Sequence, residues 1–534
     1  MLSYRKLAMR VLGHPLHTGR IDSPRPASQR AAAFILTAAM LTTLAAPAFA
    51  DIWHIENGDI TISAGESGNN VTQNNNTTYG DTNTIITNQN KDTASSHTVT
   101  IEAKDKDDKV EVTLKDVNID TSSRNKAAVS VTGEGDTNIK LDGDNALKSD
   151  IYRSGIYGSG SLTISGGEND SLTAQGGSGA NGISSSGSLT ISGGTVTANG
   201  DDGGRGISSS GSVTISGGST VTANGGSGTI SGGDGICSSG GVTISGGSTV
   251  TANGGNGGSL VGGDGIRSGG GLTVSDGTVT AKGGNGDSKD GYGGDGIRSG
   301  GGVTISGNTV NAAGGYGGKV GGYGICSFDR VAISGGTVEA AGGNGSTGGG
   351  SGIYSSVIDL SGSLELTAKA GSPNGKALSQ KGSELKLDDI KDKLGPGAKV
   401  TATDANGETK QVSIPRPVEP EESSSSSDGG SAAPSAPASP LPGLTVTDKD
   451  GQRISYTSTQ SGNTLTVCVG RLTASLHVSL AALRQLRAEG IETIAFQTIL
   501  CSTSLSVDEL LTMGGEDAEA VLTHRFTDSS LTVG

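Results

Sequence analysis

Apolar and polar residues alternate in short runs through the middle of the chain. In Gly294–Gly315, which reads GDGIRSGGGVTISGNTVNAAGG, Val303, Ile305 and Val310 alternate with polar neighbours. This period of two is typical of β-strands with one buried face. Glycines stand at the corners, where a positive φ costs glycine little. The stretch therefore predicts three short strands: one at the Gly-Ile pair, one at Val-Thr-Ile and one at Thr-Val.

Variants of this stretch recur from Gly155 to Ile353, with 24 to 31 residues between successive Gly-Ile isoleucines. These isoleucines are Ile156, Ile183, Ile207, Ile236, Ile266, Ile297, Ile325 and Ile353. An apolar residue follows each of the first seven at a constant distance of eight residues, as expected if these side chains stack in register. Nearly all length variation lies in the third connection of each repeat. Insertions confined to one connection are typical of a solenoid, because they project from one face.

A period of about 28 residues with three short strands predicts an all-β fold, a parallel β-helix. In this fold each coil pairs with the next at about 4.8 Å and buries an aliphatic stack. The alternative is a disordered Gly/Ser tract. The strict placement of isoleucine and valine favours the β-helix, and we assign the Gly-rich repeats to residues 151–375.

The segments outside the repeats have different compositions. We interpret residues 51–150 as irregular first coils with a cap, because an open solenoid end exposes unpaired strand edges. The more charged segment 376–414 is expected to close the other end. Residues 415–443 are a Pro/Ser/Ala linker that cannot form a core. Residues 444–534 predict a small α/β domain of unknown role, with a helix capped by Ser479 and running to Glu489, and a second short helix that begins near Val507 and stops before Gly514.

The N-terminal segment has the pattern of a secretory signal. Six basic residues precede the apolar run Ala31–Leu44, which leads to Ala48-Phe49-Ala50. Residues 1–50 are therefore expected to be a signal peptide, and the chain is expected to be extracellular or at the cell surface. We expect no membrane span, and attachment to the cell through residues 444–534 is one hypothesis.

Charge and cysteine content exclude several classes of protein. The net charge is −15 and becomes more negative without residues 1–50, so nucleic acid and anionic membranes are poor partners. Four cysteines in a chain of 534 residues do not make a disulfide scaffold. Cys237 and Cys326 share one repeat position but lie three coils apart, too far for a bridge. Cys468 and Cys501 could pair or simply pack.

Histidine is absent from the repeats between Gly155 and Ile353. This absence removes Ser-His-Asp triads and histidine metal sites from that part of the chain. His477 and His524 lie in the last domain without a recognisable partner spacing, and we expect them to be structural or exposed.

Three aspartates occupy one register on successive coils: Asp234, Asp264 and Asp295 each stand two residues before a Gly-Ile isoleucine. Carboxylates stacked about 4.8 Å apart repel one another, so a cation should offset them. Ca²⁺ is one candidate, because it accepts carboxylates and loop carbonyls as ligands. Arg267 and Arg298, three residues after an aspartate, are the alternative, since they could neutralise two of the carboxylates.

The same two arginines are candidates for binding an anionic ligand. Arg267 and Arg298 are predicted to stack on adjacent coils and face outward, which suits a uronate carboxylate. The competing interpretation is pairing with neighbouring aspartates. Tyr292, Tyr316 and Tyr323 lie on the long third connections, where their rings could stack on sugars.

The sequence from about Val110 to Ile353 resembles a known family. The stretches VEVTLKDVNID, AAVSV, TNIKLDGDNALKS and SGIYGSGSLTISGG, followed by GI-x-S and LTISGGTVTA coils, are similar to secreted bacterial carbohydrate-binding domains that form right-handed parallel β-helices. The resemblance implies a non-catalytic module that holds plant cell-wall polysaccharides such as cellulose and pectic acid, with calcium in the helix. This chain departs from the family in its long Gly-rich connections and few aromatic residues.

Two other functions use the same fold. An adhesin or structural surface protein would employ the solenoid as a rigid spacer and bind cells or itself rather than a glycan. A β-helical polysaccharide lyase would need calcium carboxylates and a basic residue as proton acceptor, a role open to Arg267 or Arg298.

Overall fold

The computed structural model describes residues 51–415 and most of the C-terminal domain. The C-terminal described ranges are 443–448, 452–454, 456–461, 463–469, 473–498, 502–513, 519–525 and 528–533. The predicted signal peptide, residues 416–442 of the predicted linker, and Cys501 lie outside the described residues. The chain divides into two compact units, Met1–Glu419 and Pro420–Gly534.

The first unit is a parallel β-solenoid of about 13 coils with about 28 residues each, which confirms the predicted fold. Three series of strands run along it, and the first series begins at the Gly-Ile pairs. Its strands are Ile60–Gly65, Val99–Glu102, Val129–Thr132, Ile156–Gly158, Ile183–Ser185, Ile207–Ser209, Ile236–Ser238, Ile266–Ser268, Ile297–Ser299, Ile325–Ile333, Ile353–Leu360 and Leu378–Gln380.

The second series follows each Gly-Ile strand after a short glycine corner. It comprises Ile52–His54, Thr84–Thr87, Lys109–Lys115, Asp136–Asp142, Ser161–Ser165, Leu189–Ser192, Val213–Ser216, Val242–Ile244, Leu272–Val274, Val303–Ile305 and the second halves of Ile325–Ile333 and Ile353–Leu360. The third series forms a separate twelve-stranded sheet together with one antiparallel end strand. Its parallel strands are Asn118–Asp120, Asp144–Lys148, Ser171–Ser178, Thr195–Asp201, Thr220–Asn224, Ser248–Asn253, Gly277–Lys282, Thr309–Ala313, Gly336–Ala341, Leu364–Lys369 and Lys399–Thr403.

Equivalent residues stack directly on one another from coil to coil. Ile236 pairs with Ile266, and Ile266 with Ile297, in the first series. The apolar residues eight positions later pair in the same way in the second series. All three isoleucines are completely buried, and they belong to one continuous apolar core. The constant spacing of eight therefore reflects in-register stacking, as the sequence predicts.

Antiparallel strands lie at both ends of the solenoid. At the start, Gly68–Gln73 pairs with Ile60–Gly65 and with Asn76–Asp81. At the other end, Thr409–Ser413 pairs antiparallel with the last strand of the third series, and Ser383–Glu384 pairs with Leu378–Gln380. Two 3₁₀ helices, Ile55–Asn57 and Leu387–Lys393, also lie near the ends. Such pairing reduces the open strand edge that would otherwise recruit other chains.

The described residues of the second unit form two four-stranded sheets and two helices around a separate apolar core. Its strands are Leu444–Thr447, Ala474–Ser479, Glu519–Arg525 and Asp528–Val533 in one sheet, and Thr457–Ser461, Thr464–Cys468, Thr493–Gln497 and Ser502–Ser506 in the other. The helices are Leu480–Ala488 and Val507–Met513. Ser479 caps the first helix by accepting a hydrogen bond from the Ala482 N–H, as predicted. No helix in the described part of the chain is long and apolar enough to cross a membrane.

Candidate functional site

One column of side chains runs along the first series, immediately after the apolar residue that begins each strand, which is the Gly-Ile isoleucine in the regular repeats. We name it the post-isoleucine column. Its register-paired members are Thr100, Ser130, Tyr157, Ser184, Ser208, Cys237, Arg267, Arg298, Cys326, Tyr354 and Ser379. Arg267 and Arg298 are therefore direct neighbours on adjacent coils. Cys237 and Cys326 flank them three coils apart, and neither forms a disulfide with a described residue.

The three aspartates form a buried ladder beside this column. Asp234, Asp264 and Asp295 are 4–6% exposed. The N–H of Asp264 donates to Oδ1 of Asp234 at 2.9 Å, and the N–H of Asp295 donates to Oδ1 of Asp264 at 2.8 Å. The N–H of Tyr323 continues the series to Oδ1 of Asp295 at 2.7 Å. One oxygen of each carboxylate therefore holds the backbone of the next coil.

Arginines neutralise only the two ends of this ladder. Arg205 Nε lies 3.2 Å from Oδ2 of Asp234, and Arg298 Nη1 lies 3.5 Å from Oδ2 of Asp295. Asp264, in the middle, forms no ion pair with any described residue, and neither does Arg267. The sequence analysis left Arg267 and Arg298 open as an alternative to calcium for neutralising two of these carboxylates. The structure supports this role for Arg298, which pairs with Asp295. Asp234 is instead neutralised by Arg205, which lies on the coil before the ladder.

The surroundings of the middle aspartate raise its pKa. Burial, together with repulsion from Asp295 and Asp234, raises the pKa of Asp264 to about 8. Burial also raises the pKa of Asp295, to about 6, against the opposing effects of the Tyr323 N–H and Arg298. The raised pKa favours the protonated form of Asp264. A proton there would reduce the repulsion between the ladder carboxylates.

Among the described residues no group of three or more His, Cys, Asp or Glu side chains could hold a metal ion. One oxygen of each ladder aspartate accepts a hydrogen bond from a backbone N–H of the next coil. The calcium prediction therefore rests on the sequence pattern alone.

An aromatic group lies next to the arginines. The rings of Tyr323 and Tyr354 stack with centroids 5.0 Å apart and an interplanar angle of 23°. Phe328, which is 54% exposed, lies with its ring centroid 5.4 Å from the Arg298 guanidinium carbon. Tyr354 stands in the post-isoleucine column two coils beyond Arg298. We name Arg267, Arg298, Tyr323, Phe328 and Tyr354 the arginine–aromatic cluster.

Sequence reasoning identified three of these five residues. It missed Tyr354, although the signal was present, because Tyr354 directly follows the Gly-Ile pair as Arg298 does. It also missed Phe328, which stands two residues after Cys326 and does not recur at the equivalent position of other coils.

Tyr292 and Tyr316 lie in a different place, on the glycine-rich third connections. Tyr292 bridges to Val261 and Val320 on the adjacent coils, and the Lys319 ammonium lies 5.6 Å from its ring centroid. The N–H of Tyr316 donates to Oδ1 of Asn285. The rings are 40% and 48% exposed. Both tyrosines thus lie in a row of residues along the third connections. The bridge, ring and hydrogen-bond contacts described here join them to that row and not to the arginines.

The glycine-rich connections stack as tightly as the strands do. A Cβ at Gly263 would lie 1.9 Å from the carbonyl oxygen of Gly233 on the preceding coil, and a Cβ at Gly294 would lie 1.9 Å from that of Gly263. No side chain fits such a contact, so these positions require glycine. The inserted connections therefore form a regularly stacked surface next to the post-isoleucine column.

The C-terminal histidines have structural partners. His524 is fully buried, and its ring nitrogens lie within hydrogen-bond distance of the hydroxyls of Thr498 and Thr503. His477 contacts Thr447 and Glu519. These contacts agree with the expectation of a structural role.

No protein-family model, curated protein or solved structure matches this chain.

Proposed function

We propose that the protein is a secreted, non-catalytic carbohydrate-binding protein that holds an acidic, pectin-like polysaccharide on its solenoid. The observation that carries the proposal is the pair Arg267 and Arg298, in register on adjacent coils, with the exposed ring of Phe328 next to Arg298. Guanidinium groups bind carboxylates through two parallel hydrogen bonds. The apolar faces of sugar rings pack against aromatic side chains such as Phe328.

The two arginines contribute in different ways. Arg267 is exposed and forms no ion pair with a described residue, so its donors are available to a ligand. The Arg298 side chain is 41% exposed and shares its charge with Asp295. Arg267 is therefore expected to be the principal carboxylate ligand, with Arg298 as the weaker neighbour.

The repeat of the fold suits a polymer. Adjacent coils are spaced at about 4.8 Å, close to the length of one pyranose unit, so stacked side chains can follow a chain laid along the axis. Exposed charge pairs are worth about 1 kcal/mol or less and are screened by salt. Binding should therefore be weak at each position, additive along the polymer and sensitive to ionic strength.

The test compares retention on polygalacturonate and on cellulose for the wild type and for Arg267→Gln/Arg298→Gln. The matched control is Lys115→Gln/Lys148→Gln, which removes two exposed cations elsewhere on the solenoid. We expect the arginine variant to lose the acidic polymer while the control retains it. Equal retention of all three proteins on both polymers would overturn the proposal.

A further inference from the structure

A groove lies nearer the start of the solenoid than the arginine–aromatic cluster does. It lies at the corner where the third connection meets the first series. It has a volume of about 650 Å³, within the range of roughly 300–1,000 Å³ that is usual for ligand sites. Hydroxyl and amide groups line much of it, including those of Ser130, Asn125 and Ser184. We name it the N-terminal groove.

Two exposed tyrosines belong to this groove. Tyr157 is 42% exposed and stands in the post-isoleucine column, between Ser130 and Ser184. Tyr152 is 78% exposed, and its backbone has a φ of 58°. Its ring lies against Gly179, where a Cβ would be 2.9 Å from the ring. The glycine therefore leaves room for an aromatic face that is presented to solvent.

The groove is locally cationic in an acidic protein. Arg124 and Lys126 share a single carboxylate, that of Asp59. The exposed Arg153 forms no ion pair with a described residue, and its Nε donates to Oδ1 of Asn125 at 3.3 Å. The nearby Asp150 accepts backbone N–H groups with both carboxylate oxygens. Of the residues that line the groove, Lys126 and Arg153 are cationic and none is a carboxylate, in a chain whose net charge is −15.

We propose that the N-terminal groove is a second binding site for the same acidic polysaccharide, with Tyr152 and Tyr157 against the sugar rings and Arg153 on a uronate carboxylate. This inference rests on the proposed function. Small residues, Ser184, Ser208 and Cys237, occupy the post-isoleucine column between the groove and the arginine–aromatic cluster.

A polymer along this column would contact both sites at once. Four coils separate Tyr157 from Arg267, or about 19 Å at about 4.8 Å per coil. Binding at one site raises the effective concentration of the chain at the other only when the chain can span this distance. We therefore expect the affinity of the protein for the polysaccharide to rise steeply with polymer length.

The groove variant is Tyr152→Asn/Tyr157→Ser, with Arg153→Gln as a separate variant. Serine occupies the neighbouring positions of the column at Ser130 and Ser184, and asparagine tolerates a positive φ, so both changes suit the backbone. The control is Tyr79→Ser, which removes a 76% exposed tyrosine outside the groove. Thermal melts establish that each variant is folded.

The measurement is the Kd of each protein for oligogalacturonates of about three and about twelve sugars, where linked sites should give at least about a tenfold gain. The wild type and Tyr79→Ser should bind the long oligomer about tenfold more tightly or better. The groove variants should lose most of that gain and keep the short-oligomer Kd. A folded groove variant that keeps the full gain overturns the inference alone. Adding Arg267→Gln/Arg298→Gln to the groove variant tests the proposed function, and an unchanged short-oligomer Kd in that combined variant overturns it.

Discussion

At the scale of single residues, the aspartate ladder shows how a buried row of carboxylates is tolerated. Arg205 and Arg298 neutralise its ends, and backbone N–H groups occupy one oxygen of each aspartate. Asp264 forms no ion pair with a described residue, and burial with repulsion from Asp295 and Asp234 raises its pKa to about 8. The ion pairs at the two ends and the raised pKa of Asp264 both limit the repulsion along the ladder.

The first prediction follows from the pKa of Asp264. A carboxyl whose pKa is raised in the folded state binds more protons there than in the unfolded state, so stability falls as pH rises between the ordinary value, 3.8, and about 8. Asp264→Asn keeps an acceptor for the Asp295 N–H and removes this titration. We expect it to flatten that pH dependence and to stabilise the protein at pH 8 by roughly 1 kcal/mol or more.

Chemical denaturation at a series of pH values measures this effect. Asp276→Asn is the control, because Asp276 is exposed and should leave the slope unchanged. A slope in Asp264→Asn equal to that of the wild type would show that Asp264 is not the titrating group.

Calcium gives a second prediction at the same residues. A ligand that binds only the folded state stabilises it by RT ln(1 + [L]/Kd), about 2.7 kcal/mol at a hundredfold excess over Kd. If calcium binds the ladder, melting temperatures rise with calcium, return with chelator, and respond less in Asp264→Asn. Identical melts under all conditions would exclude the ladder as a calcium site.

At the scale of elements, the sequence predicts strands wherever one side chain must stack on its equivalent in the next coil. The eight-residue step between Ile266 and Val274 follows from this requirement, and the structure confirms it. The hairpin Gly68–Gln73 was not predicted, because its buried face includes amides. Asn69 and Gln73 are buried there, and their side-chain amides hydrogen-bond to neighbouring groups instead of making apolar contacts.

The third prediction concerns the stacked glycines. In Gly263→Ala, the new methyl group would lie 1.9 Å from the Gly233 carbonyl oxygen, so the coils must separate locally. We expect a loss of about 1–3 kcal/mol in the free energy of unfolding, as for other overpacked sites. The matched control is Gly348→Ala in an equivalent connection, where the nearest atoms are Val320 methyls at 3.8 Å. Equal melting temperatures for the two variants would contradict the close stacking.

The candidate site was less predictable than the fold. Arg267 and Arg298 share a repeat position, so their adjacency follows from the period. The partnership of Arg205 with Asp234 depends on how one long side chain reaches the next coil, which the period does not specify. Tyr152 and Arg153 also escaped notice, because they lie at the start of the assigned repeats, before the first Gly-Ile pair, and only the folded chain brings them beside Asn125 and Ser130 of the preceding coil.

At the scale of the whole molecule, the two units have separate apolar cores. The Pro/Ser/Ala composition of residues 415–443 predicts that proteases cleave between them. Limited proteolysis is therefore expected to release a fragment near residues 444–534 that melts cooperatively by itself. A fragment that is unfolded alone would show that the domain boundary is wrong.

The central claim is that the solenoid holds an acidic polysaccharide along its axis through the post-isoleucine column. A crystal structure of the protein with a long oligogalacturonate tests it most directly. We expect the sugar chain to run parallel to the solenoid axis, with one carboxylate within hydrogen-bond distance of the Arg267 guanidinium. An oligomer bound across the coils, on another face, or not bound at concentrations that saturate polymer retention would contradict the claim.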